Sequence, residues 1–133
     1  MHAPKLATVE ENFWQLRSAE ESHRESPENF WIPDFAIRQN LKRGDAAKLI
    51  FDFEGYNEDG GLEIGGERMW VIVKEKLADF YLGVLDNQPA GIDEGFLDKN
   101  SEVYFKAEHI IDVGYPPRDF LEERFGKDFL SDE

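Results

Sequence analysis

Three β-type runs dominate the second half of the chain: Arg68-Met-Trp-Val-Ile-Val73, Tyr81-Leu-Gly-Val-Leu-Asp-Asn-Gln-Pro89 and Val103-Tyr-Phe-Lys-Ala-Glu-His-Ile-Ile-Asp-Val113. β-branched and aromatic residues fill them, polar joints separate them, and no helical pattern lies between them. Strands that follow one another in this way pair antiparallel, because a parallel pair needs a crossover element. An earlier run, Ala46 to Glu54, alternates Leu49, Phe51 and Phe53 with Lys48, Asp52 and Glu54 and reads as the first strand of the same unit.

The strands predicted from these patterns are Ala46–Glu54, Glu67–Lys76, Phe80–Asp86 and Glu102–Ala107. In the second, Met69, Val71 and Val73 share one face while Trp70 and Ile72 lie on the other, so this strand is expected to be central and covered twice. The stretches 55–66 and 90–100 are rich in glycine and acid and read as loops, the first of them mobile. Glu108 to Ile111 reads as a tight turn. Leu41-Lys-Arg-Gly-Asp45 reads as a turn in which Gly44 takes positive φ.

Helices flank this unit. Thr8 stands three residues before Glu11, the spacing of a capping box, and predicts a helix over 9–25 with Val9, Phe13 and Leu16 on one face. Ser26-Pro27 stops it. Phe30-Trp31-Ile32-Pro33 leads into a short helix near Asp34–Gln39, and Pro116–Phe125 reads as a C-terminal helix with proline in its first turn. The expectation is one α+β domain over 1–133. Its core, 41–113, is a strongly bent, barrel-like antiparallel sheet of about four strands, with flanking helices at 9–25 and 116–125.

Composition narrows the chemistry. With 29 acidic and 15 basic residues the net charge is −14, which repels phosphate backbones and anionic headgroups, so neither nucleic acid nor a membrane surface is an expected partner. A protein with a basic surface is. There is no cysteine, which removes disulfides, thiolate nucleophiles and zinc–thiolate sites. No apolar run is long enough for a signal peptide or a membrane span, and a cytoplasmic location is expected.

Among residues that could carry chemistry, His109 beside Glu108 could act as a base or ligand, but a histidine bonding a turn backbone is the stronger reading. Asp86 and Asn87 cap a strand and could point into a cleft, although turn formation explains them as well. The carboxylates Glu58, Asp59, Glu63, Asp93 and Glu94 lack the ligand rhythm of a calcium loop, and no metal or cofactor is expected. Serine elbows and phosphate loops are absent from the sequence. Trp31 and Trp70 are the aromatic outliers, Trp70 reading as core and Trp31 as core or partner contact. The candidate binding residues are therefore Trp31, Trp70, Asp86, Asn87, Glu108 and His109, with no catalytic residue assigned.

The elements Arg68–Val73, Gly83-Val-Leu-Asp-Asn-Gln-Pro89, Val103-Tyr-Phe105 and Glu108-His-Ile-Ile-Asp112, in this order, resemble a family of small bacterial domains catalogued as domain of unknown function 2314. Leu41–Asp45 ahead of Lys48-Leu-Ile-Phe51 fits the opening strand of the same unit. The resemblance implies the sheet core and carries no activity or cofactor with it. The loop after the Asn-x-Pro element is lengthened here by Ala90 to Asp98, and the segments before Ser26 and after Pro116 fall outside the match.

Three functional readings follow. The first is a noncatalytic protein-binding module, of which an immunity or antitoxin-like protein is one version. The second is a small hydrolase or metal-dependent enzyme using His109 with nearby carboxylates, which requires those groups to converge on one concave pocket. The third is a structural subunit that homodimerises through an exposed strand edge.

Overall fold

The computed structural model describes residues 3–56, 58–92 and 95–131, without the side chains of Tyr56 and Glu63. Along the chain lie α1 (Val9–Asn12), β1 (Trp14–Leu16), α2 (Ala19–Glu25), α3 (Phe35–Arg38), β2 (Ala46–Tyr56), β3 (Leu62–Leu77), β4 (Phe80–Leu85), β5 (Glu102–Lys106), a 3-10 turn (Ala107–His109), β6 (Ile110–Gly114) and α4 (Arg118–Phe125). All strand pairs are antiparallel, in the order β1-β2-β3-β4-β5, with β6 also pairing β2.

Connectivity bends the sheet. β5 forms one edge and β6 lies on β2 at the other, yet only the three-residue turn Ala107–His109 joins them. The sheet curls until its edges approach, giving the expected strongly bent α+β half-barrel. Strand alternation fills the inside with Leu49, Phe51, Met69, Val71, Tyr81, Phe105 and Ile110, each at most 2% exposed. Side chains of this size contribute roughly 1.5–3 kcal/mol each on leaving water, so the interior is the main source of stability. Tyr81 joins the core by satisfying its hydroxyl, which donates to the Arg38 carbonyl (2.8 Å) and accepts from the Leu41 amide (3.0 Å). Burial pushes its pKa up.

The outer face is covered at two ends. Ala19 of α2, with Phe30 and Ile32, packs on Ile50 and Ile111. Leu121 of α4, with Phe125, Phe129 and Leu130, packs on Ala46 and Ile72. Gly44 has the expected positive φ (94°), and a Cβ there would also meet Leu121 and Leu130 at under 3 Å.

Six strands replace the four read from sequence, and three boundaries move. The single helix expected over 9–25 is broken: Phe13 adopts φ 69°, Trp14–Leu16 extends to pair with Phe51–Phe53, and helix resumes at Ala19. Burial of Trp14 against Phe51 outweighs helical propensity over those residues. Ser18 restarts the helix, its hydroxyl accepting from the Glu21 amide, and Ser18-x-x-Glu21 has the capping-box spacing, a signal overlooked beside Thr8. The stretch 55–66 is largely hairpin, with strand to Tyr56 and from Leu62 onward, Asn57 being outside the described residues. The turn placed at 108–111 closes at His109, so Ile110 and Ile111 open β6 instead.

Candidate functional site

Register brings three outer-face rows together. Lys48 lies between Trp70 and Asp112, Ala46 between Ile72 and Gly114, and Ile50 opposite Arg68. The α2 and α4 sides each cover an end row, leaving the Lys48–Trp70 row in a trough between them. One hollow of about 210 Å³ is lined by Phe30, Trp31, Lys48, Arg68 and Asp112. An adjoining one of about 340 Å³ lies over Trp70 and Ile72 and is bounded by Pro116, Pro117 and Phe120. Trp31 is 69% exposed and Phe120 39%, so three large aromatics, counting half-buried Trp70, border the strip formed by these two hollows.

The strip is locally cationic. Lys48 Nζ stands 5.6 Å from the Trp70 ring centre and the Arg68 guanidinium 6.0 Å from that of Phe30. Among the described residues neither cation has a hydrogen bond or ion pair, whereas Arg17, Lys74 and Arg124 are matched by Asp52, Glu102 and Asp86. The hydrogen bond to Asp52 raises the pKa of Arg17 further. Asp112, opposite Lys48, accepts instead from the Val113 amide at 2.9 Å.

Of the residues singled out from sequence, Trp31 and Trp70 border the strip, and Asp86 and Asn87 support it. The Asn87 side-chain oxygen accepts the Trp70 amide (2.8 Å), prolonging the β3 ladder by one bond. Asp86 accepts from Arg124 Nε (2.8 Å) and pins α4 to the end of β4. Both side chains are occupied in holding Trp70 and α4 in place.

Glu108 and His109 lie elsewhere, on the 3-10 turn that draws the sheet edges together. His109 is 4% exposed, and its Nδ1 accepts the Lys106 amide at 2.9 Å, so in the neutral ring the proton is on Nε2, 3.7 Å from the Glu108 carboxylate. Burial pushes its pKa down to about 4, helped by the charge of Lys106 and opposed by Glu20. An imidazole with its acceptor nitrogen already bonded to backbone has no lone pair for a substrate or metal. Among the described residues no group of three or more histidines and carboxylates stands close enough to hold a metal ion. Asp93, Glu94 and the side chain of Glu63 lie outside the description, so the loop carboxylates are placed only at Glu58 and Asp59, both exposed.

Sequence reasoning missed Lys48, Arg68 and Phe120 as lining residues of the candidate site, and also Arg38. Buried Arg38 donates from Nε to the Pro33 carbonyl (2.8 Å) and from Nη1 to Glu20 (2.7 Å) and the Ala107 carbonyl (2.8 Å). It thereby ties the segment carrying Trp31 to α2 and to the barrel-closing turn. The available signal was the strand alternation placing Lys48 outward. No helix among the described residues is long and apolar enough to cross a membrane. Compared with family models, curated proteins and solved structures, the chain matches none.

Proposed function

We propose that the protein is a noncatalytic protein-binding module whose contact surface is the outer-face strip. One observation carries this reading: Trp31, Trp70 and Phe120 border adjoining hollows that also present Lys48 and Arg68, each over an aromatic ring and, among the described residues, without an ion pair. Large aromatic side chains bury much apolar area for few rotatable bonds, which is why they are enriched at binding hot spots. The net charge of −14 supports a partner with a basic surface, drawn in at long range, while the strip supplies the short-range contact. An immunity or antitoxin-like role is the sharper version, with a basic toxin as that partner. The kinship with the domain of unknown function 2314 family stays part of the proposal and adds no activity to it.

The test is capture of partners from the native host by the protein and by its Trp31→Ala/Phe120→Ala variant, each shown to be folded by circular dichroism. A basic protein retained at low salt by the parent, released at high salt and lost by the variant supports the reading. Equal recovery by both baits removes the strip from it.

A further inference from the structure

A second recess opens at the mouth of the half-barrel, and its chemistry is the reverse of the strip's. It encloses about 600 Å³, within the range of small-molecule sites, and barrel mouths are a recurrent place for them. Phe53 forms the floor. Its ring is clamped by the backbones of Gly65 and Gly91, where an added Cβ would come within 2.6 and 2.3 Å of it. The Glu67 carboxylate accepts the amides of Ala90 and Gly91 (2.8 and 3.0 Å) and folds that loop over the ring. Phe13, turned out of its helix by positive φ, meets Phe96 with ring centres 4.4 Å apart and makes the wall. The Trp14 indole fixes Phe96 through its carbonyl at 3.3 Å.

Phe13 and Phe96 are each 47% exposed and Leu62 is 55% exposed, so the wall keeps apolar surface in water. Glu10 and Glu54 also line the recess, and among the described residues neither carboxylate has a hydrogen bond or ion pair. None of the described lining residues is basic. Phenyl faces carry negative potential and attract cations, more strongly once water is excluded. Two unmatched carboxylates beside the exposed Phe13 and Phe96 rings, over the apolar floor of Phe53, therefore select positive charge joined to an apolar body.

We infer that this mouth recess binds a small amphiphilic organic cation, an alkyl amine or quaternary ammonium compound, with its apolar part against Phe13, Phe53 and Phe96 and its charge beside Glu10 and Glu54. The inference stands independently of the outer strip. The probe is hexyltrimethylammonium, titrated calorimetrically and by amide NMR shifts, with 1-hexanol and hexanoate as neutral and anionic controls. Saturable binding at least ten-fold tighter for the cation than for hexanol, with shifts centred on Gly91 and Phe96, is expected. The Glu10→Gln/Glu54→Gln variant should weaken it five-fold or more, while Glu75→Gln/Glu123→Gln, with the same change in net charge, leaves it unchanged. Equal affinity for cation and hexanol, equal loss in both double variants, or no saturable binding would overturn the inference. Equally tight binding of an oligolysine peptide with no apolar body would do the same, since bulk acidity would then suffice.

Discussion

The outer strip and the mouth recess are both aromatic, yet one is bordered by lysine and arginine and the other by glutamate. Lys48 and Arg68 lie on the face opposite Leu49, Phe51 and Phe53, so strand alternation alone separates the cationic surface from the apolar barrel lining. A net charge describes neither place. The two sites also differ in support. The strip rests on α2, α3 and α4 through buried polar ties, whereas the recess rests on a ring packed closely against two glycines.

That difference in support is open to attack. Replacing Arg38 with Met leaves Glu20 unpaired and removes donors from the Pro33 and Ala107 carbonyls. The expected cost is about 2–4 kcal/mol in urea unfolding, less than for a fully buried charge pair because Glu20 keeps 30% of its side chain exposed. At temperatures where the variant stays folded, the segment bearing Trp31 should lose amide protection while Gly91 and Phe96 keep theirs. Equal loosening of both regions would show that the strip has no separate framework.

Acid should reach the same framework through His109. Its pKa is near 4 in the folded protein against 6.5 for the ordinary imidazole, so the unfolded chain takes up a proton first as pH falls. Stability from this residue is therefore whole above pH 6.5, declines through the window down to pH 4, and is lower by about 2 kcal/mol at pH 5. His109→Asn keeps an acceptor for the Lys106 amide and removes the titration. Its unfolding free energy should fall less than the parent's between pH 7 and pH 5. Parallel pH profiles for the two proteins would place the acid sensitivity elsewhere.

Gly91→Ala addresses the recess alone. The added methyl would meet Phe53 Cζ at 2.3 Å, and Gly65 packs so closely on the same end of the ring that a Cβ there would come within 2.6 Å of that atom. A loss of about 1–3 kcal/mol is expected, the usual cost of overpacking, together with weaker cation binding and unchanged partner capture by the strip. Stability within error of the parent would mean that the loop at Ala90–Gly91 yields, and that the floor is softer than its packing implies.

What the sequence displayed of this arrangement follows the range over which each signal acts. Alternation in Ala46–Glu54 and Glu67–Lys76 is local, and it correctly assigned both sheet faces and the double covering of Ile72, which Leu121 completes. The bent sheet followed from consecutive strands. By contrast, the break at Phe13 depends on a pocket for Trp14 that exists only once Phe51 and Ile92 are in place. Reading 55–66 as a loop hid the hairpin register, and with it the neighbourhood of Lys48 and Trp70. Trp31 stood out in the sequence as an aromatic ahead of a proline, and its 69% exposure is what the fold adds to that reading. Arg38 was not, since an arginine in a four-residue helix carries no local mark of burial.

The smallest stability effect is expected where the largest binding effect is. Trp31 is 69% exposed and, among the described residues, takes part in no hydrogen bond, ion pair or ring contact, so Trp31→Ala should change unfolding free energy by no more than about 0.5 kcal/mol. A side chain so large and so weakly used by its own fold is retained at little structural cost, and its apolar area is available to another molecule. If the strip is the contact surface, the substitution should weaken partner capture at least ten-fold while cation binding at the mouth is unaltered. A clear loss of stability instead would show that Trp31 packs on its own chain, and would leave Phe120 as the exposed aromatic of the strip.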